Sequence, residues 1–228
     1  MKKFELTTES KNNIFGKKLF RIKALISFGN VREGDTGGWV EKEENLSHSG
    51  NAWVYGNAEV FDNAKVYGNA WVHGNSKVYG NAQVRGNAEM SGNANVYGNA
   101  NVYGNARIYG NAEVYGNARI YGNVWVHGNA DVSGNADVYG SVNVCDNAKV
   151  HSNSDYATIH GFGTQFRITT FFRCKDKQVR VCCGCFFGTI PKFREQVKKT
   201  RGGKIAEEYL MIADLMEKHF TEERESGE

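Results

Sequence analysis

The stretch YGNAEVYGNARIYGN, residues 109–123, gives nearly the same six residues twice and belongs to a repeat that runs from residue 51 to residue 153. An aliphatic residue recurs every six positions from Val54 to Val150, with Met90 as one variant, and a small residue, usually alanine, lies two positions earlier. A period of six is not helical, whereas the run A-x-V-Y alternates inward and outward as a strand does. Glycine and asparagine tolerate positive φ, so the following Gly-Asn suits a corner. One strand and one corner per hexad predict a parallel β-helix.

The positions of the tryptophans indicate how many hexads make one coil. Trp53, Trp71 and Trp125 are separated by 18 and 54 residues, and His73 and His127 by 54. Three hexads per coil would align the tryptophans in one column and the histidines in the next, whereas four would separate Trp71 from Trp125. Valine and alanine also suit a thin triangular interior. The fold prediction is therefore a mainly β protein, a triangular solenoid of 18 residues per coil, with corner asparagines stacked about 4.8 Å apart.

Composition excludes several classes of protein. The 228 residues carry 28 basic and 25 acidic side chains, a net charge of +3, which argues against a dedicated nucleic-acid binder. Residues 51–150 carry six basic and seven acidic side chains, which argues against DNA mimicry. The N-terminal residues lack a run typical of a signal peptide, and no stretch approaches the roughly 18 apolar residues of a membrane span. Five cysteines, an odd number, argue against a disulfide framework. We expect a cytoplasmic protein with reduced thiols.

The repeat is flanked by two segments of different character. Residues 1–50 alternate in places and turn at glycines around Trp39, and the register slips between Leu46 and Val54. This segment is predicted to cap the first coil and to hide a strand edge that would otherwise recruit other strands. Residues 51–153 form the predicted solenoid, and residues 154–228 the predicted C-terminal domain.

The C-terminal segment is predicted to be a small ββαα domain. Two strands lie within residues 165–187, on either side of the sequence CKDKQ. One helix follows Thr189, its predicted cap, with Pro191 in the first turn, and the glycines at 202 and 203 end it. The second helix has one apolar stripe. The residues predicted to share a face are Phe166, Ile168, Thr170 and Phe172 in the first strand; Val179, Val181, Cys183, Cys185 and Phe187 in the second; and Ile205, Tyr209, Ile212, Met216 and Phe220 in the second helix.

The repeat and its flanks resemble known families. The hexads resemble the hexapeptide pattern of left-handed β-helix proteins. The segments LFRIKALISFGNVREGDTGGWVEKEENLS, residues 19–47, and FFRCKDKQVRVCCGCFFGTIPKFREQVKKT, residues 171–200, resemble a family of phage- and prophage-encoded β-helix proteins that are commonly labelled acetyltransferases. The resemblance covers almost the whole chain. It implies a left-handed solenoid, a bacterial host cell as the location, and interference with host defence as a role.

One of the three solenoid faces has the composition of a binding surface. It has no lysine and carries all the tryptophans of the solenoid, and exposed Trp, Tyr and Arg are enriched at interface hot spots. Packing within a trimer, or cover by the terminal domains, is the alternative explanation. We call this side the aromatic face; its candidate binding residues are Trp53, Tyr55, Trp71, His73, Arg107, Tyr109, Trp125 and His127.

Catalytic and metal chemistry find less support in the sequence. Hexapeptide-repeat acyltransferases use a histidine base beside a loop that interrupts the coils, a role that His73 or His127 could nominally fill. No loop interrupts the hexads, and neither histidine has an evident carboxylate neighbour in the sequence. These two histidines are three coils apart, roughly 14 Å, too far to share a metal. Paired C-x-x-C spacing is absent among the clustered cysteines, Cys174, Cys182, Cys183 and Cys185. We therefore expect no catalytic residue, no metal and no cofactor.

The sequence therefore predicts a non-catalytic binding protein. We expect a rigid homotrimeric scaffold that binds a host protein through the aromatic face or the C-terminal domain, with no membrane or nucleic-acid partner. Sequestration of an anionic nucleotide where subunits meet is the first alternative, since Trp, Tyr and Arg suit stacking and phosphate contact. A hexapeptide-type acyltransferase is the second alternative.

Overall fold

A computed structural model describes residues 1–222 and shows a parallel β-solenoid between two terminal caps; residues 223–228, the end of the predicted C-terminal domain, lie outside the described part. Each hexad contributes one two-residue strand. These strands are β4 (Trp53–Val54), β5 (Glu59–Val60), β6 (Lys65–Val66), β7 (Trp71–Val72), β8 (Lys77–Val78), β9 (Gln83–Val84), β10 (Glu89–Met90), β11 (Asn95–Val96), β12 (Asn101–Val102), β13 (Arg107–Ile108), β14 (Glu113–Val114), β15 (Arg119–Ile120), β16 (Trp125–Val126), β17 (Asp131–Val132), β18 (Asp137–Val138), β19 (Asn143–Val144) and β20 (Lys149–Val150).

Each solenoid strand from β4 to β17 pairs in parallel with the strand three hexads later. Trp53 lies opposite Trp71, and Arg107 lies opposite Trp125, so one coil takes 18 residues. The strands consequently fall into three sheets, one on each side of the coil. The aromatic face is the outer surface of the sheet ordered β19-β16-β13-β10-β7-β4. The predicted coil length and the three-sided solenoid are confirmed.

The interior of the solenoid is a column of small and aliphatic side chains. The alanines and the aliphatic residues of successive hexads are almost completely buried, as at Ala94 and Val96. Outside, asparagines at all three corners form ladders through side-chain hydrogen bonds, for example from Asn75 Nδ2 to Asn93 Oδ1 at 3.1 Å. Positive φ falls on the glycine of each Gly-Asn corner and not on the asparagine. The two corner residues therefore have separate roles: the glycine forms the bend, and the asparagine forms the ladder.

The N-terminal cap consists of three strands that extend one sheet of the solenoid. The strands are β1 (Phe4–Asn12), β2 (Lys18–Ala24) and β3 (Thr36–Val40); β2 lies in the middle and is antiparallel to both neighbours, and a 3-10 turn follows at Glu43–Asn45. β3 then pairs in parallel with β5, Trp39 opposite Glu59, an offset of 20 residues instead of 18. Leu46 bridges to Val66 with the same offset. The cap and the predicted slip of register are both present.

The cap also supplies donors to carbonyl groups that no earlier coil could reach. Within the solenoid, backbone N–H groups donate to carbonyls of the following coil, so the carbonyls of the first coil need other donors. Lys3 Nζ donates to Ala52 O at 2.8 Å, and Asn45 Nδ2 donates to Ala64 O at 2.9 Å. Burial lowers the pKa of Lys3 to about 8. The cap thus closes the edge by hydrogen bonding as well as by covering it.

Within residues 154–222 the C-terminal domain contains the two predicted strands on either side of CKDKQ and two further strands that were not predicted. After a 3-10 turn at Asn153–Asp155 come β21 (Tyr156–Phe162), β22 (Arg167–Arg173), β23 (Val179–Cys183) and β24 (Phe186–Thr189). They form one antiparallel sheet in chain order. Phe166 and Cys185 lie in the turns before β22 and β24 and are exposed, so they do not share the faces predicted for them. The turns break the alternation on which that prediction relied.

Two helices follow the sheet as predicted. α1 (Ile190–Thr200) is capped by Thr189, whose hydroxyl accepts from the Lys192 N–H, and α2 (Gly203–Glu222) follows the glycine break. The sheet separates two apolar cores. Phe172 and Cys182 pack against the interior of the solenoid, whereas Phe171 packs with both helices. The domain therefore closes the far end of the solenoid.

Candidate binding surface

The eight residues predicted for the aromatic face lie on one sheet, in two neighbouring columns. The first column contains Trp53, Trp71, Arg107 and Trp125, and Glu89 lies between Trp71 and Arg107. The second contains Tyr55, His73, Tyr109 and His127, each two residues further along its own hexad. The rings of Tyr55 and His73 stack at 5.5 Å, and those of Tyr109 and His127 at 4.7 Å. The 18-residue coil brings these residues together.

Trp53 does not contribute to the exposed part of this surface. Its side chain is in the core, with its ring against Phe4 at 6.3 Å and Phe28 at 5.4 Å. Gly37 leaves room for it, because a Cβ there would lie 2.6 Å from the indole. The N-terminal cap therefore covers Trp53, and the open surface begins at Tyr55.

His73 has a carboxylate neighbour, which sequence reasoning missed. Its Nε2 lies 3.2 Å from Glu89 Oε1, and Glu89 Oε2 lies 3.4 Å from Arg107 Nε. The signal is a separation of 16 residues: side chains that far apart lie diagonally across adjacent coils. The same spacing joins His127 Nε2 to Asn143 Oδ1 at 2.8 Å. A carboxylate that orients a histidine is one component of a general base. The His73–Glu89 pair, however, lies on a sheet that no loop interrupts, unlike the histidine of hexapeptide-repeat acyltransferases.

Arg107 and Trp125 form the most prominent part of the open surface. The guanidinium carbon of Arg107 lies 5.7 Å from the centre of the Trp125 ring, a cation–π contact, and Trp125 is 44% exposed. Tyr109 meets the edge of the same indole at 6.5 Å. The phenol of Tyr109 is a hydrogen-bond donor at neutral pH, and burial raises its pKa further. A cation, a half-exposed indole and a neutral phenol thus share one rigid sheet.

A cleft of about 400 Å³ lies where this surface meets the C-terminal domain. Trp125 and Asn143 line it from the solenoid, and Arg167 and Thr170 line it from β22. The aromatic face is therefore concave at its C-terminal end.

A second cleft, of about 680 Å³, lies near the N-terminal cap and contains a histidine that the sequence analysis did not single out. His48 Nδ1 accepts from the Lys3 N–H at 3.1 Å, so its Nε2 carries the proton and donates to Glu43 Oε1 at 2.6 Å. Hydrogen bonds from His48 and then Lys2 hold the pKa of Glu43 below its ordinary value. Both ring nitrogens of His48 form hydrogen bonds within the cap, so the role of His48 is to stabilise the cap.

The cysteines separate into buried and accessible groups. Cys145, Cys174 and Cys182 are buried between the solenoid and the C-terminal sheet, Cys183 is half-buried and Cys185 is exposed. Burial raises the pKa of Cys174 to about 12, while a hydrogen bond from Cys145 lowers that of Cys182. Among residues 1–222, no three His, Cys, Asp or Glu side chains are grouped so that they could hold a metal ion.

Comparison with known proteins agrees with this architecture. The family model described as YdcK Beta solenoid repeat matches residues 112–128, a stretch inside the hexads. The chain is a β-solenoid protein. No curated protein matches it. Within residues 1–222 of this β-solenoid protein, neither helix has the length and apolar character needed to cross a membrane.

Proposed function

We propose that the protein is a non-catalytic scaffold that binds a partner protein through the open part of the aromatic face. The observation that carries this proposal is the Arg107–Trp125–Tyr109 group, an arginine and two aromatic residues on a rigid sheet. Such residues supply most of the binding energy at protein interfaces. The resemblance of the flanking segments to phage proteins supports a factor of the bacterial host as the partner, and interference with host defence as the role.

The shape of the surface favours a protein over a small molecule. Six strands at about 4.8 Å spacing give a sheet roughly 24 Å long. This length is close to the dimension of a patch that buries about 800 Å² on each partner. Most of the face lies outside the cleft that Trp125 lines at its C-terminal end, whereas small ligands bind in concave sites. A homotrimer joined through other faces would display three copies of the surface.

Capture of an anionic nucleotide where subunits meet remains a second candidate. The observation in its favour is the Arg107–Trp125 contact, because an indole can stack on a base while a guanidinium binds phosphate. Native mass spectrometry of gently purified protein separates the candidates. Trimers that carry a few hundred extra daltons per site favour the nucleotide, whereas ligand-free trimers favour protein docking.

The test of protein docking compares two double variants. Arg107→Ala with Trp125→Ala alters the aromatic face, and Arg119→Ala with Tyr121→Ala alters a similar Arg–aromatic pair on another sheet. We expect wild type and the second variant to capture the same host protein in stoichiometric amount. The first variant should lose at least about tenfold in affinity, as hot-spot truncation does. Equal capture by both variants, with both folded by circular dichroism, would rule out the aromatic face.

A further inference from the structure

The C-terminal domain contains a cleft of about 380 Å³ between a turn of its sheet and the junction of its two helices. The lining residues that matter here are Gly163, Thr164, Gln165, Arg167, Arg201 and Tyr209. No aspartate or glutamate is among the residues that line this cleft or the smaller one, about 150 Å³, that shares Arg167, Arg201 and Tyr209 with it. The cleft offers hydroxyl, amide and guanidinium groups and the Cys183 thiol, and no carboxylate lines it.

Two glycines make room for the polar groups of this cleft. A Cβ on Gly184 would lie 2.5 Å from Arg167 Nη1, so the guanidinium rests against the backbone of the β23–β24 turn. A Cβ on Gly163 would lie 2.6 Å from the Tyr209 hydroxyl. That hydroxyl donates to Phe162 O at 3.2 Å, which fixes its position. Tyr209 is therefore held by packing and by a hydrogen bond, a condition for preorganised binding, whereas Arg167 is exposed and lies against the turn.

Arg167 and Arg201 share the cleft without a carboxylate partner among residues 1–222. Other arginines of the domain are paired: Arg180 binds Asp176, and Arg194 binds Asp214 and Glu217. Both unpaired guanidinium groups lie near the Tyr209 phenol. Burial raises the pKa of Tyr209, and the charges of Arg201 and Arg167 act in the opposite direction. Two cations therefore converge on one cleft, an arrangement that an oxyanion would stabilise.

We propose that this cleft binds the phosphate group of a small phosphorylated molecule. Arginine forks bind phosphate oxygens in pairs, and Thr164 and Gln165 can add neutral donors. The surrounding sequence KKTRGGK, residues 198–204, carries three lysines besides Arg201; Lys204 pairs with Glu208, so Lys198 and Lys199 are the lysines that add positive charge here. A cleft of about 380 Å³ exceeds the size of a phosphate ion and leaves space for the group esterified to it. The site lies within one chain, and one of its residues, Arg167, also lines the cleft at the C-terminal end of the aromatic face.

Isothermal titration calorimetry on the full chain tests the proposal, with inorganic phosphate and adenosine monophosphate as separate probes. We expect both to bind, the mononucleotide more tightly. Arg167→Gln and Arg201→Gln should each weaken binding by about tenfold or more, because each removes charged hydrogen bonds to the oxyanion. Arg180→Gln, an arginine of the same domain in an ion pair, is the control and should bind as wild type does.

The two probes also identify the source of the phosphate. Binding of inorganic phosphate alone, with the same loss in both cleft variants, supports the site with free phosphate as its ligand. Absence of binding by either probe at millimolar concentration overturns the proposal. Equal affinity in wild type and both cleft variants also overturns it, provided that thermal melting shows all proteins folded. Neither result bears on protein docking, which is tested with variants of Arg107 and Trp125.

Discussion

At the scale of single residues, the corner glycines carry the bend of the solenoid, and their substitution is expected to reveal contact between coils. Gly92 has a φ of 67°, and a Cβ there would lie 2.8 Å from Gly110 O in the next coil. Gly140 has a φ of 87°, but a Cβ there meets nothing within 4 Å. We expect Gly140→Ala to cost about 1–2 kcal/mol of unfolding free energy for its backbone conformation alone. Gly92→Ala should cost roughly 1–3 kcal/mol more for crowding.

Urea denaturation of the two glycine variants measures this difference directly. Equal losses of unfolding free energy would show that adjacent coils separate at the corners without cost. The corner residue Asp62, with a φ of 58°, shows one local alternative: its Oδ2 accepts from the Gly80 N–H of the next coil at 3.2 Å. A side chain that forms such a bond offsets part of the strain, which alanine cannot do.

At the scale of residues, the sequence predicted the contacts between residues 18 apart, which follow from the period of the repeat. It missed the contacts between residues 16 apart, which run diagonally between coils. The stack of Tyr109 on His127 follows from the 18-residue coil. The His73–Glu89 pair depends on a 16-residue diagonal, because a long side chain leans across to the next coil. Burial of Trp53 depends on the cap, whose path the hexads do not encode. The repeat predicts which residues align in a column on the solenoid. It does not predict which of these residues the terminal segments cover.

At the scale of elements, the stacked tyrosines on a second sheet predict a pH effect. Phe61, Tyr79, Tyr97 and Tyr115 stack with ring centres about 5 Å apart. Burial and then the charge of Glu113 raise the pKa of Tyr97 well above its ordinary value. An unfolded tyrosine ionises near pH 10, roughly, whereas the folded one keeps its proton. The stabilisation is therefore complete below that pH and is lost as the pH rises above it.

Comparison with Tyr97→Phe isolates this contribution, since Lys3, Cys145 and Cys174 also have shifted pKa values in the alkaline range. Above about pH 10, wild type should lose up to about 1.4 kcal/mol of unfolding free energy per pH unit relative to Tyr97→Phe. Partial exposure of the ring reduces this figure. Chemical denaturation from neutral to alkaline pH gives the two curves. Parallel curves would show that Tyr97 ionises as easily in the folded protein.

The C-terminal elements show where sequence patterns become weak. The helices were predictable because Thr189, Pro191 and the glycine pair mark their limits, and the apolar stripe of α2 marks its buried side. Two strands, β21 and β24, escaped prediction, because β21 contains no fully buried residue and β24 has only four residues. In β22, which was predicted, both faces are apolar: Phe171 faces the helices while Phe172 faces the solenoid. The cleft at Arg167 was not predictable either, since residues from a turn and a helix junction form it.

At the scale of the whole molecule, the solenoid is a stack of equivalent coils whose number is expected to be adjustable. Each coil contacts its neighbours through the same ladders and pairings, so stability adds coil by coil. The caps contact the first and last coils, as Lys3 does at Ala52 and Phe172 does at the far end. Removal of internal hexads therefore leaves both caps with their usual partners.

Two internal deletions test whether the aromatic face acts as one continuous surface. Deletion of residues 75–92 removes one coil and keeps Trp71 in the same column as Arg107, whereas deletion of residues 75–80 removes one hexad and rotates all later strands to the next side. We expect both to retain cooperative thermal unfolding, because the ladders continue across either junction. The coil deletion should capture the same host protein as wild type, and the hexad deletion should lose it. Undiminished capture by the hexad deletion would confine docking to the half that contains Arg107 and Trp125.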